Sequence, residues 1–197
     1  MAHESVFNHL GELGLNHNIE NKVAYVCGAG PGLRDGLASI PRDSYAVACN
    51  SAIAADYPFA LWMAFDANCP RFAWFHYGLQ TPAIRVFGGP IKRYAHYAFS
   101  SLPCPNKQIR LADNALNGRG TIVCCALQLM LYATAKKVIL IGCPFGGSRH
   151  DDGSTVGKSA RFKIKAKIAN RYIRLLKARG MDIVSMGPTA LDIEVIA

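Results

Sequence analysis

Residues 23–37 read VAYVCGAGPGLRDGL, an apolar run that breaks into three glycines and a proline within five residues. The run Val23–Cys27 predicts a buried strand, and the residues from Leu33 onward predict a short helix. Glycines in such a turn let main-chain N–H groups approach a phosphate closely, and a helix N-terminus adds partial positive charge. Pro31 suits the first turn of that helix, where no N–H is needed. The stretch indicates either a tight turn or a phosphate-binding loop.

Apolar segments alternate with helix-capable segments along the rest of the chain. This alternation predicts an α/β fold with three layers, a Rossmann-like open and mainly parallel sheet with helices on both faces. The less regular residues 82–105 are expected to form an excursion over the edge of the sheet. The predicted strands are Val23–Cys27, Tyr45–Cys49, Phe59–Phe65, Ala83–Phe87, Val138–Gly142 and Met181–Ser185, and the predicted helices are Leu33–Ser39, Asn50–Asp56, Thr121–Ala135 and Lys158–Arg179.

Composition indicates one globular domain. Of the 197 residues, 51% are apolar and 18% charged, and no apolar run approaches the roughly 20 residues of a membrane-spanning helix. Residues 1–21 are expected to form an N-terminal extension without signal-peptide character, and residues 22–197 a single nucleotide-binding domain in the cytoplasm. The seven cysteines contain no C-x-x-C and the histidines no paired ligand spacing, so we expect buried thiols and no metal site.

The positive charge is concentrated in one segment. The chain has 22 basic and 13 acidic residues. The segment Lys158–Arg179 contains basic residues but no Asp or Glu. The segment predicts a helix with an apolar stripe through Phe162, Ala166, Ala169, Tyr172 or Ile173, and Leu176. Its basic side is either a solvated face, a surface for a phosphate-rich partner such as nucleic acid, or a wall beside an anionic donor.

Several polar or glycine-rich loops follow predicted strands or precede predicted helices. Since the carboxyl ends of parallel strands share one edge of a sheet, these loops are expected to converge on one crevice. They contain Gly28, Ala29, Gly30, Pro31 and Gly32; Asn50 and Ser51; Asp66; the segment IGCPFGG; and Arg119, Gly120 and Thr121. The dinucleotide fingerprint G-x-G-x-x-G fails because Leu33 occupies its third glycine, which disfavours NAD.

The ordered series GAGPGL, ACNSAI, NGRGTIVCCALQLMLYATAKKVILIG and MDIVSMGPTAL resembles the bacterial sialyltransferases and the related domains of the archaeal hydroxymethylpterin diphosphokinase type. The resemblance covers roughly residues 22 to 192. It implies that the GAGPG glycines line nucleotide phosphates, that Asn50 holds the base or ribose, and that Gly120 and Thr121 lie against the donor. The chain departs from this pattern at Gly32, where the family has serine, and at Pro144, where it usually has aspartate.

The resemblance implies a nucleotide-dependent transferase, with glycosyl transfer from a nucleotide sugar favoured. His150 is either the general base or a plain solvated loop residue, Asp66 either a substrate or metal contact or a satisfied turn-former, and Arg119 either a phosphate clamp or a surface residue. One alternative is a diphosphokinase on a small heterocycle, which would use Mg²⁺ and a carboxylate such as Asp66. Another is a non-catalytic nucleotide- or nucleic-acid-binding protein. The sequence leaves the donor, the acceptor and the oligomeric state open.

Overall fold

A computed structural model of the chain describes residues 22–102, 115–118, 121–146 and 159–196. In chain order, the strands in these ranges are β1 (Val23–Cys27), β2 (Ala46–Cys49), β3 (Leu61–Ala64), β4 (Ile84–Gly88), β5 (Tyr97–Leu102), β6 (Ala115–Asn117), β7 (Lys137–Ile141), β8 (Asp182–Met186) and β9 (Val195–Ile196). They form one sheet in the order β6-β5-β4-β3-β2-β1-β7-β8-β9, and every pairing is parallel. The predicted open α/β sheet is confirmed.

Helices cover both faces of this sheet. The α-helices are α1 (Leu33–Ala38), α2 (Ala73–Leu79), α3 (Ile122–Tyr132) and α4 (Ser159–Lys177), and short 3₁₀ helices span Asn50–Ala54, Cys69–Arg71 and Gly89–Tyr94. Leu33 of α1 and Phe75 of α2 belong to one core, whereas α3 and α4 pack in the core on the other face.

The chain reverses its direction across the sheet between β1 and β7. From β1 it progresses to β6 on one side, and α3 then returns it to β7, which pairs with the other side of β1. The connections that leave β1 and β7 lie on opposite faces, because α1 packs in one core and α4 in the other. Ligands of open α/β sheets bind at such a switch point, outside the carboxyl ends of the strands.

The core is formed by apolar residues of the helices and strands on both faces of the sheet. Every residue of α3 from Ile122 to Met130 is buried, as expected for a helix that is apolar nearly all round. Trp62 is fully buried against Phe75 and Phe87, with ring centroids 5.3 Å and 4.7 Å apart. The apolar stripe of α4 is buried at Ala166, Ala169, Tyr172, Ile173 and Leu176. The six cysteines in the described part of the chain are free thiols and buried.

One expectation about the architecture is corrected. Residues 82–105 were expected to pass over the sheet edge, but Tyr97–Leu102 is a strand that pairs with both β4 and β6. The sequence also did not predict β6, β9 or α2.

Residues 1–21, expected to be an extension, lie outside the described residues. None of the helices in the ranges that the structure covers is long and apolar enough to cross a membrane.

His96 links β4 to β5 through Arg85. The Arg85 main-chain N–H lies 3.1 Å from Nδ1 of His96, and the guanidinium lies 2.6 Å from Nε2. Partial burial and the Arg85 charge lower the pKa of His96 from its ordinary value of 6.5. Both ring nitrogens of His96 face N–H groups of Arg85. Protonation of the ring therefore places a positive charge against the Arg85 guanidinium.

This arrangement predicts a pH-dependent stability. A histidine whose folded-state pKa is lowered stabilises the fold fully above its unfolded pKa of about 6.5, and the contribution is lost as the pH falls below that value. We expect His96→Gln to flatten this part of the pH dependence in urea unfolding between about pH 5 and 8. An unchanged slope in His96→Gln would contradict the assignment.

Candidate functional site

The turns that follow β1 and β7 interlock at the switch point. The N–H of Gly28 donates to the carbonyl of Ile141 at 2.8 Å, and the N–H of Gly30 donates to the carbonyl of Gly142 at 2.8 Å. An added Cβ would lie 2.7 Å from the Gly142 oxygen at either position. The two glycines therefore allow close main-chain packing, and these two N–H groups, expected to face a phosphate, are hydrogen-bonded within the protein.

The outer part of the GAGPG turn faces solvent. Pro31 and Gly32 are exposed, whereas Gly28 and Gly30 are buried and Ala29 is partly buried. Gly32 caps the N-terminus of α1 with a φ of 83°, and apart from its chain neighbours no described residue has an atom within 4 Å of a Cβ added there. Its N–H has no hydrogen bond to another described residue. An anion approaching this turn would meet the main chain at Gly32.

Asn50 lies at the carboxyl end of β2, the strand beside β1. Its φ of 53° places it in the left-handed region, and its Oδ1 is buried and has no hydrogen-bond partner among the described residues. Its main-chain oxygen accepts a hydrogen bond from Nε1 of the buried Trp62 at 3.0 Å, which fixes the backbone. A strained backbone and an unpaired buried oxygen both cost free energy, and such features cluster at ligand sites. Ser51 follows at the start of the 3₁₀ helix, partly buried.

Four buried thiols lie beneath these strand ends. Cys27 ends β1, Cys49 ends β2, Cys143 follows β7 and Cys125 belongs to α3. Burial raises the pKa of Cys49, and the thiols of Cys143, Cys27 and Cys125 raise it further. Burial likewise raises the pKa of Cys143 to about 12. Cys27, Cys49 and Cys143 therefore remain protonated near neutral pH and are not candidate nucleophiles.

Asp66 and Thr121 have local roles in the described structure. Asp66 is exposed after β3, and its Oδ1 accepts a hydrogen bond from the N–H of Asn68 at 2.9 Å, as in a turn-former. β3 is two strands away from β1, about 10 Å at the usual strand spacing. Thr121 precedes α3, and its N–H donates to the carbonyl of Gly118 at 2.8 Å. No described hydrogen bond joins Thr121 to Asn50 or to the GAGPG turn.

Three predicted site residues, His150, Arg119 and Gly120, lie outside the described residues, and their roles stay predictions. Pro144, which departs from the family pattern, has a structural contact. Its Cδ would lie 2.3 Å from a Cβ added at Gly30. The proline ring therefore fills the space that glycine leaves, and it locks the turn after β7 onto the turn after β1.

Sequence reasoning missed Phe145, directly after Pro144. It is 9% exposed and has a φ of 52°, which is a strained conformation for a bulky aromatic residue. Only the clustering of glycines around it in IGCPFGG indicates an unusual backbone. Phe145 marks the place where the chain leaves β7 for the face that carries α4.

Comparison of the chain with protein-family models gives no match, and comparison with curated proteins gives none either. The resemblance to the sialyltransferase-like superfamily therefore stays a prediction. What the structure does provide is a parallel α/β sheet with glycine turns and a strained Asn50 together at its switch point.

Proposed function

We propose that the protein is a nucleotide-dependent group transferase that binds its donor outside the carboxyl ends of β2, β1 and β7. The favoured donor is a nucleotide sugar and the favoured reaction is glycosyl transfer. The proposal is supported by the position of the loops at the switch point of a doubly wound sheet, where nucleotides bind in other proteins of this architecture.

Asn50 carries the proposal. A buried carboxamide oxygen without a partner is costly in the free protein, and a donor N–H or hydroxyl of a base or ribose would satisfy it. The left-handed backbone adds a second cost that a plain turn would avoid by using glycine. Both costs are explained if Asn50 is retained for contact with a ligand.

In the proposed reaction, the donor phosphate lies near Gly32 and the N-terminus of α1, and Asn50 holds the nucleoside. Arg119 would stabilise the charge that develops on the leaving phosphate. His150 would accept the proton of an acceptor hydroxyl as its oxygen bonds to the transferred group and the bond to the phosphate breaks.

Asn50→Gly separates binding from stability. Glycine keeps the left-handed backbone and removes the carboxamide, so we expect a free energy of unfolding within about 1 kcal/mol of wild type. Nucleotide binding should be lost. With CMP or UDP at about 100 times its Kd, the wild-type Tm should rise by about 5 to 10 °C, and the variant should show no rise. Differential scanning fluorimetry measures the Tm with and without nucleotide, and urea unfolding measures the free energy of unfolding.

One control and two opposing outcomes accompany this test. Gln80→Ala removes an exposed carboxamide at the C-terminus of α2 and should keep the nucleotide response. A response to ATP with Mg²⁺ and none to CMP or UDP would support the diphosphokinase instead. If Asn50→Gly binds nucleotides as well as the wild type, the proposed site is wrong.

A further inference from the structure

A groove of about 490 Å³ lies on the other side of the turn that follows β7. Phe145 and Gly146 form one wall, one side of α4 forms the other, and Ala190 closes it after β8. The volume is within the usual range of small-molecule sites. Because Pro144 packs on Gly30, this groove and the proposed donor site flank the same turn.

The α4 wall is strongly basic. Lys163, Lys167, Asn170 and Arg174 line the groove at spacings that place them on one side of a helix. The buried stripe of α4 fixes this rotation, and Ala166, which belongs to that stripe, forms part of the floor. No carboxylate is among the described residues that line the groove.

Among the described residues, the ion pair that compensates the charge lies at one end of the groove. Arg174 lies 4.0 Å from the carboxylate of Asp192, and Oδ1 of Asn170 accepts the N–H of Asp192 at 2.8 Å. Lys163 and Lys167, about 6 Å apart along the helix axis, have no ion pair with a described residue. The N–H groups of Phe145 and Gly146 have no hydrogen bond to a described residue either. Lys163, Lys167 and the residues of these two main-chain donors therefore line the groove without a described partner.

We propose that this groove binds the anionic group, a phosphate monoester or a carboxylate, of a small acceptor substrate. The anion-binding part stands on the groove alone, and the acceptor role depends on the proposed transferase function. Lysine ammonium groups and main-chain N–H groups are strong donors to such an anion. A small molecule is favoured over nucleic acid because the cations line a groove of small-molecule size between the turn after β7 and α4.

Isothermal titration calorimetry with glycerol 3-phosphate and malonate, each compared with neutral glycerol, tests the site and distinguishes phosphate from carboxylate. We expect saturable binding of at least one anion and none of glycerol. Lys163→Gln and Lys167→Gln should each weaken binding about tenfold, the effect of losing one charged hydrogen bond. Lys177→Gln makes the same charge change on α4 outside the groove and should leave binding unchanged.

Asn50→Gly should also keep the anion affinity, which separates this site from the donor site. Anion binding without any nucleotide response would retain the groove as a site and refute its acceptor role together with the transferase. The absence of saturable anion binding would overturn the proposal, as would equal weakening by Lys163→Gln, Lys167→Gln and Lys177→Gln. Binding of single-stranded DNA but of neither small anion would overturn it in favour of a nucleic-acid surface.

Discussion

Gly30→Ala is expected to lower the free energy of unfolding by about 3 kcal/mol or more, the upper end of what overpacking costs. The alanine Cβ would lie 2.3 Å from Cδ of Pro144 and 2.7 Å from the carbonyl oxygen of Gly142. Neither neighbour is the free end of a flexible side chain, because one is a proline ring and the other is main chain. The two interlocked turns must separate, and urea unfolding should show a lower midpoint.

Gly32→Ala is the matched control within the same turn. Gly32 has a φ of 83° and open space around it, so alanine there meets only the backbone penalty of about 1 to 2 kcal/mol. Gly30 is outside the left-handed region, so its penalty comes from the clash alone. An effect of Gly30→Ala no larger than that of Gly32→Ala would contradict the interlocked turns.

Pro144→Ala offers a second check, because it removes the Cδ atom that lies nearest to the Gly30 position. In this background Gly30→Ala should cost less than in the wild type, with a coupling energy of about 1 kcal/mol or more. The contact with the Gly142 oxygen remains, so the rescue should be partial. Strict additivity of the two substitutions would show that Pro144 is not the obstructing group.

The central strands were predictable because strands buried on both faces read as continuous apolar runs. β1 has the predicted bounds, and the other five predicted strands are displaced by no more than a few residues. The strands toward the edges gave no such signal. β5 reads YAFSSL with polar residues in its second half, and β6 and β9 are only three and two residues long. α2 was missed because its sequence AWFHYGL is rich in weak helix formers.

For the site, the sequence predicted which loops share the carboxyl edge but not how they use their polar groups. The hydrogen bonds from Gly28 and Gly30 to the turn after β7 depend on a contact between distant parts of the chain. The left-handed backbone of Asn50 is likewise fixed by tertiary contacts, including the bond from Trp62. Residue types in a turn indicate where a ligand could bind. Which main-chain N–H groups remain available to that ligand follows only from the packing.

The polar residue Gln128 is fully buried in α3 and joins three elements of the fold. Its Oε1 accepts hydrogen bonds from the main-chain N–H of Asn117 in β6 at 2.6 Å and from the hydroxyl of Tyr172 in α4 at 2.9 Å. Its Nε2 donates to the hydroxyl of Tyr132 at 3.2 Å. α3 carries the chain from β6 back to β7, so this network fixes the crossover that creates the switch point.

Gln128→Met should lower the free energy of unfolding by about 3 kcal/mol, because the volume is nearly kept while buried donors on β6 and α4 lose their shared acceptor. Leu129→Met, a swap of similar volume in the same helix, should cost less than about 1.5 kcal/mol. Tyr172→Phe should destabilise the wild type more than it destabilises Gln128→Met, because the bond it removes is already absent there. Urea unfolding of the wild type, Gln128→Met, Tyr172→Phe and the double variant measures the coupling energy between the two positions. If the two substitutions add without coupling, Gln128 does not act through Tyr172, and apolar packing holds α4 against α3.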